Sequence, residues 1–91
     1  MPVLDNNPAM TSIENEMKLR EAFSQVLSIP PESITDEVAY EKTEAWDSVA
    51  HMALVAAIDI AFNIMMDTDD VLDMSSFGKA KEILQKYGVA V

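Results

Sequence analysis

Cysteine is absent from this 91-residue chain, which excludes a disulfide framework, a thiolate metal site and a cysteine nucleophile together. Basic residues are scarce: six Lys and Arg stand against 16 Asp and Glu, a formal charge of −10. Such a field repels nucleic acid and anionic lipid, because both are bound through Lys and Arg that displace counterions from phosphate. Long apolar runs are lacking as well. The most apolar stretch, Val49 to Met66, is broken by His51, Asp59 and Asn63, and falls short of the roughly 20 apolar residues that a spanning helix needs. Residues 1–10, MPVLDNNPAM, have neither the basic nor the apolar region of a targeting signal and read as a flexible tail. A soluble, cytoplasmic protein without membrane span or nucleic-acid partner is expected.

What remains is apolar enough to fold. Hydrophobic residues make up 49% of the chain, too many for a disordered acidic segment, so the acidity belongs to a folded surface. With only two glycines and four prolines, little interrupts helical periodicity. Thr11-Ser12-Ile13-Glu14 has the form of a capping box, and Ile13, Met17, Leu19, Ala22, Phe23, Val26 and Leu27 then follow at three- and four-residue steps, predicting an amphipathic helix closed by Pro30-Pro31. Residues 28–46 form a long connection. Within it Pro31-Glu32-Ser33 predicts one helical turn, and Ile34, Val38 and Tyr40 are expected beneath the loop.

A second helix is predicted from Asp47-Ser48 to Asn63, with two apolar stripes that imply cover over much of its circumference. A short helix at Thr68–Asp73 and a last one from Ser75-Ser76 to Gly88, carrying Phe77, Ala80, Ile83, Leu84 and Tyr87, complete the pattern. The fold class is therefore all-α: a bundle of three main helices and one short helix. Residues 11–88 form the domain, and residues 89–91 its C-terminal end.

Asp47-Ser48 is the pair with chemistry in it. An N-cap Asp accepts hydrogen bonds from first-turn amides, and Ser48 then presents its hydroxyl at the positive end of a helix, where a phosphate ester is stabilised. By itself the pair is far more often an ordinary helix start, since every helix N-terminus needs capping residues. Charge placement adds to it. From Thr43 to Gly78 there is no Lys or Arg, yet Glu44, Asp47, Asp59, Asp67, Asp69, Asp70 and Asp73 all lie there. That one-signed surface suits a partner with basic residues, although a plain solvated acidic face has the same composition. His51, the only histidine, follows Ser48 by three positions on the same face. A Ser–His hydrolase would need an elbow glycine, an oxyanion loop and a shaped pocket, none of which this chain offers. A surface histidine touching phosphate or partner fits better. Asp67-Thr68-Asp69-Asp70 fails as a calcium loop, since its sixth and twelfth positions are Leu72 and Gly78 rather than glycine and glutamate. Met52, Met65, Met66 and Met74 read as core filler or as an adaptable seam.

Taken in register, Trp46-Asp47-Ser48-Val49, the helix end Phe62-Asn63-Ile64, the acidic short helix, and Ser76-Phe77 with Tyr87-Gly88 resemble the acyl carrier protein family over residues 12–88. Tyr40 stands eight residues before Ser48, where such proteins often place a loop aromatic. The resemblance implies an acyl-carrier-like four-helix bundle, right-handed, with no catalytic residue. Ser48 would be the attachment site of 4′-phosphopantetheine drawn from coenzyme A, and Asp47 its motif partner. The arm's thiol would carry acyl or aminoacyl groups as thioesters, which suits a chain without cysteine. Partners implied are a phosphopantetheinyl transferase, a loading ligase or transferase, and a downstream synthase, meeting a monomeric carrier. Glu44-Ala45-Trp46 stands where fatty-acid carriers show glycine and small residues, and Ala53, Ile60 and Ala61 stand where they show glutamates. Docking is thus expected through Val49, Met52, Ala53 and Ile60 with Asp69 and Asp70, in a specialised pathway such as polyketide, nonribosomal peptide, or lipid or glycan modification. The alternative is an acidic helical interaction module that carries no arm.

Overall fold

A computed structural model describes residues 8–40 and 42–91 of the chain, with side chains from residue 11 onward. Four helices follow in order: α1 Pro8–Leu27, α2 Ser48–Phe62, α3 Thr68–Asp73 and α4 Phe77–Lys86, with a 3-10 turn at Pro31–Ser33 after α1. Among the described residues no strand forms; a single antiparallel bridge joins Ala39 to Ser76. The all-α bundle expected from periodicity is the architecture found.

α1 opens earlier than the capping-box pattern indicates. Pro8 to Met10 are already helical, so these three residues belong to the helix rather than to a tail; residues 1–7 lie outside the described part. A proline suits a first helical turn, because its missing N–H would have had no partner there. The buried side of α1 is also narrower than its apolar spacing suggests. Leu19, Phe23 and Leu27 are fully covered, whereas Ile13 and Met17 are 54% and 61% exposed. Each covered side chain contributes about 1.5–3 kcal/mol of hydrophobic stabilisation.

Glycine scarcity shows in how the helices stop. α1, α2 and α4 each end in a left-handed residue: Ser28 (φ 58°), Asn63 (φ 54°) and Gly88 (φ 83°). In each case the next amide bonds back to a carbonyl five residues earlier: Ile29 to Ser24, Ile64 to Asp59 and Val89 to Leu84. This closure satisfies carbonyls that have no partner inside the helix. Only the last stop uses glycine. α1 is therefore ended by Ser28, before the Pro30-Pro31 pair is reached.

The core is built around an aromatic pile. Phe23 lies edge-on between Trp46 and Phe77, with centroid distances of 5.3 and 5.0 Å. Ile34, Leu54, Ile58, Met74, Ile83 and Leu84 close around it, each almost completely buried. Ile34 is thus part of the main core rather than a satellite, while Val38 and Tyr40 pack against it half-buried. The loop is clipped to the start of α4: Phe77 N–H donates to the Val38 carbonyl and Tyr40 N–H to the Ser75 carbonyl, at 2.9 and 3.0 Å. Gly78 N–H also donates to the Asp36 carbonyl at 3.4 Å, and a Cβ at Gly78 would make only an ordinary contact with Asp36. Residues 89–91 fold back, with the Ala90 carbonyl accepting from Asn15 Nδ2 at 2.8 Å.

α2 is covered on one side only. Leu54, Val55 and Ile58 are buried, but Val49, Met52 and Ile60 are 79%, 59% and 82% exposed. The cover over much of the circumference expected from two apolar stripes is therefore not found: Val49 and Met52 face outward although Val55 on their stripe is buried. Methionine divides the same way. Met66 and Met74 fill the core, while Met52 and Met65 lie at the surface.

Candidate functional site

Trp46 sets the position of Ser48. Its indole is buried to 1% exposure, anchoring the chain two residues before the helix, and the Trp46 backbone N–H donates to the Thr43 carbonyl at 2.9 Å. Asp47 then adopts an extended backbone, and its Oδ1 accepts from the Ala50 amide at 2.9 Å. Its carbonyl accepts from His51 N–H at 2.8 Å. Ser48 is the first helical residue and is exposed. Helix geometry leaves the amides of Ser48 and Val49 without intrahelical acceptors, so they point their partial positive charge at whatever the hydroxyl bears.

His51 does not face Ser48 as a base, nor does it reach outward as a phosphate contact. Its Nδ1 accepts from Trp46 Nε1–H at 3.0 Å. An indole can only donate, so the proton of the ring sits on Nε2, which donates to the Val71 carbonyl at 2.7 Å. The imidazole stacks on the indole, with centroids 5.9 Å apart and planes 19° apart, and also meets Tyr40 at 5.4 Å. Both nitrogens are thus committed to the frame of the protein.

The acidic residues divide between surface and interior. Glu44, Asp47, Asp67 and Asp69 are exposed. Asp59 is half-buried, its Oδ1 accepting from the Met66 amide at 3.2 Å. Asp70, expected on a docking face, is only 5% exposed and turns inward. Its two carboxylate oxygens take the Lys86 ammonium and the Tyr87 hydroxyl. Those hydrogen bonds, Lys86 first, hold the Asp70 carboxyl below its ordinary value of 3.8 despite partial desolvation. Lys86, in the last turn of α4, thereby ties α3 to α4. Asp73 lies 3.3 Å from Lys79. Among the described residues no group of His, Asp and Glu is gathered as metal ligands.

The other expected docking residues are all exposed. Val49, Met52, Ala53 and Ile60 are all exposed on α2, and Asp69 is exposed in the first turn of α3. Between α2 and α3 a groove of about 290 Å³ opens directly beside Ser48. Exposed Met52, Leu72 and Ser75 form its sides, and buried Met74 with half-buried Tyr40, His51 and Val71 lies at its base.

No family model, curated protein or solved structure matches this chain in comparison.

Sequence reading overlooked Leu72 and Val71 as part of this site. The signal was present: Leu72 is an apolar residue placed among Asp69, Asp70 and Asp73, and it is 78% exposed. The importance of Trp46 is also missed by periodicity, because it lies outside every helix. Chemically, the assembled site offers a hydroxyl at a helix start, two unpaired amide dipoles and an adjoining apolar trough. It suits holding a phosphate ester with an apolar extension.

Proposed function

We propose that this chain is a carrier protein that bears 4′-phosphopantetheine on Ser48 and passes acyl or aminoacyl groups between enzymes. One observation carries the proposal: an exposed serine hydroxyl at the first position of α2 opens onto an apolar groove beside it. The residues fit the group. The Ser48 and Val49 amides at the helix start would hold the phosphate, Asp47 caps that helix start, and Met52 and Leu72 would offer apolar sides to the arm. When bound, the arm supplies a thiol for thioester formation, the function that a chain without cysteine cannot provide from its own side chains.

The expected partners follow from the surface. A phosphopantetheinyl transferase would add the arm, a ligase or transferase would load it, and a synthase would take the cargo. Each would meet an acidic rim at Glu44, Asp47 and Asp69 around the apolar middle of α2, which favours basic enzymes with apolar docking pockets. The exposure of Val49, Met52 and Ile60 supports a specialised pathway over one built on a glutamate-lined helix. No helix among the described residues is long and apolar enough to cross a membrane.

The test is intact mass after incubation with coenzyme A and a promiscuous phosphopantetheinyl transferase. Wild type should gain one arm and Ser48→Ala none. A folded wild-type protein of unchanged mass would sink the proposal. The apolar stripe on α2 also supports a second reading, an unmodified interaction module. Such a module should bind its partner equally well as wild type and as Ser48→Ala, whereas a carrier should lose cargo transfer.

A further inference from the structure

Resting on the carrier reading, we propose that His51 is a positioning residue that closes the base of the groove and so confines any cargo on Ser48 to the surface trough. Three observations meet at this side chain. First, it bridges elements: the bond to the Val71 carbonyl ties α2 to α3. α3 has only six residues, and most of its carbonyls lack helical partners, so the tie satisfies one of them. At the other side of α3, Asp70 is held by Lys86 and Tyr87, and the Asp67 amide donates to the Tyr87 hydroxyl at 2.8 Å. α3 is therefore pinned from two directions, and its Leu72 wall is set at a definite distance from Met52.

Second, what lies beneath is full. The imidazole stacks on Trp46, and Trp46 packs on Phe23. A chain pushing inward would have to break both imidazole hydrogen bonds, leave the buried indole N–H without an acceptor, and displace a packed ring. Third, the trough is small. About 290 Å³ is at the lower end of volumes that hold small ligands. It has room for the end of the arm and a few further heavy atoms, and a longer chain has to continue into water along the apolar face of α2. The cargo class that suits this geometry is a short acyl or aminoacyl group.

The test loads wild type through a promiscuous transferase with acetyl-, butyryl-, octanoyl- and dodecanoyl-coenzyme A, with intact mass confirming each product. Two quantities are read: the thermal midpoint, and the signal and hydrogen exchange of the Trp46 indole N–H. In wild type the midpoint should rise from acetyl to butyryl and then level off, with the indole signal unchanged and protected throughout. In His51→Ala it should keep rising to octanoyl and dodecanoyl, while His51→Gln, which keeps an acceptor and a donor, should restore the plateau. A midpoint that climbs through dodecanoyl in wild type, or an indole signal lost with the longer chains, overturns the inference without touching the carrier reading. The wild-type series decides even where His51→Ala does not fold. Absence of any mass gain overturns the carrier reading, and this inference with it.

Discussion

The bond between Trp46 and His51 should behave as a coupled pair, and a double-mutant cycle can measure it. His51→Ala leaves a buried indole N–H with no acceptor and removes the donor to Val71. An orphaned buried donor costs about 1–3 kcal/mol and a lost ordinary hydrogen bond about 1 kcal/mol, so about 2–4 kcal/mol is expected. Trp46→Phe leaves the imidazole Nδ1 without its donor and opens a void against Phe23, a further cost of about 2–3 kcal/mol. If the two effects share one hydrogen bond, the double variant should be milder than their sum by about 1–2 kcal/mol, because the orphaned group is then removed along with its partner. Urea unfolding followed by far-ultraviolet circular dichroism is the suitable assay, since Trp46 is the only tryptophan and its replacement abolishes the fluorescence signal. For a domain of this size each single variant should melt about 10–20 °C lower. A double variant that matches the sum within about 0.5 kcal/mol would refute the bond as drawn.

Other consequences can be checked separately. Because Lys86 and Tyr87 hold the Asp70 carboxyl below 3.8, its contribution is present at neutral pH and disappears as pH falls through that lowered value. Asp70→Asn should therefore be less stable at neutral pH and have a flatter acid limb; parallel acid profiles for the two proteins would argue against the pairing. Ser28 stops α1 in a left-handed conformation at φ 58°, so Ser28→Gly should raise stability by about 0.5 kcal/mol, and an equal or lower melting temperature would contradict that reading. The Ser76 hydroxyl accepts from the Lys79 amide at 2.9 Å, so Ser76→Ala should cost about 1 kcal/mol in a thermal melt. Ser48→Ala, at an exposed position outside the core, should stay within about 0.5 kcal/mol of wild type while blocking attachment of the arm.

Much of this protein is written in local pattern. Helical periodicity, the Asp47 and Ser76 caps and the Asn63 and Gly88 stops act within a few residues, so α2, α3 and α4 can be placed from sequence with their ends nearly correct. The choice of Ser48 comes from the same local information, because a helix start defines both its exposure and its dipole. Tertiary packing decided what pattern could not. Whether an apolar stripe is covered depends on which neighbour arrives, and among the described residues none covers Val49, Met52 and Ile60. Similarly, Asp70 looks like one more surface acid in a run of acids, yet Lys86 and Tyr87, far along the chain, draw it inside. His51 is the clearest case. Its spacing places it on the Ser48 face of the helix, but its two nitrogens are claimed by Trp46 and Val71, which only the folded loop and α3 bring within reach. Sequence by itself determined an acidic, cysteine-free helical bundle with a serine at a helix start. The tertiary structure alone decided that this serine stands beside an apolar trough with a histidine at its base, because a groove belongs to no single helix and exists only where two meet.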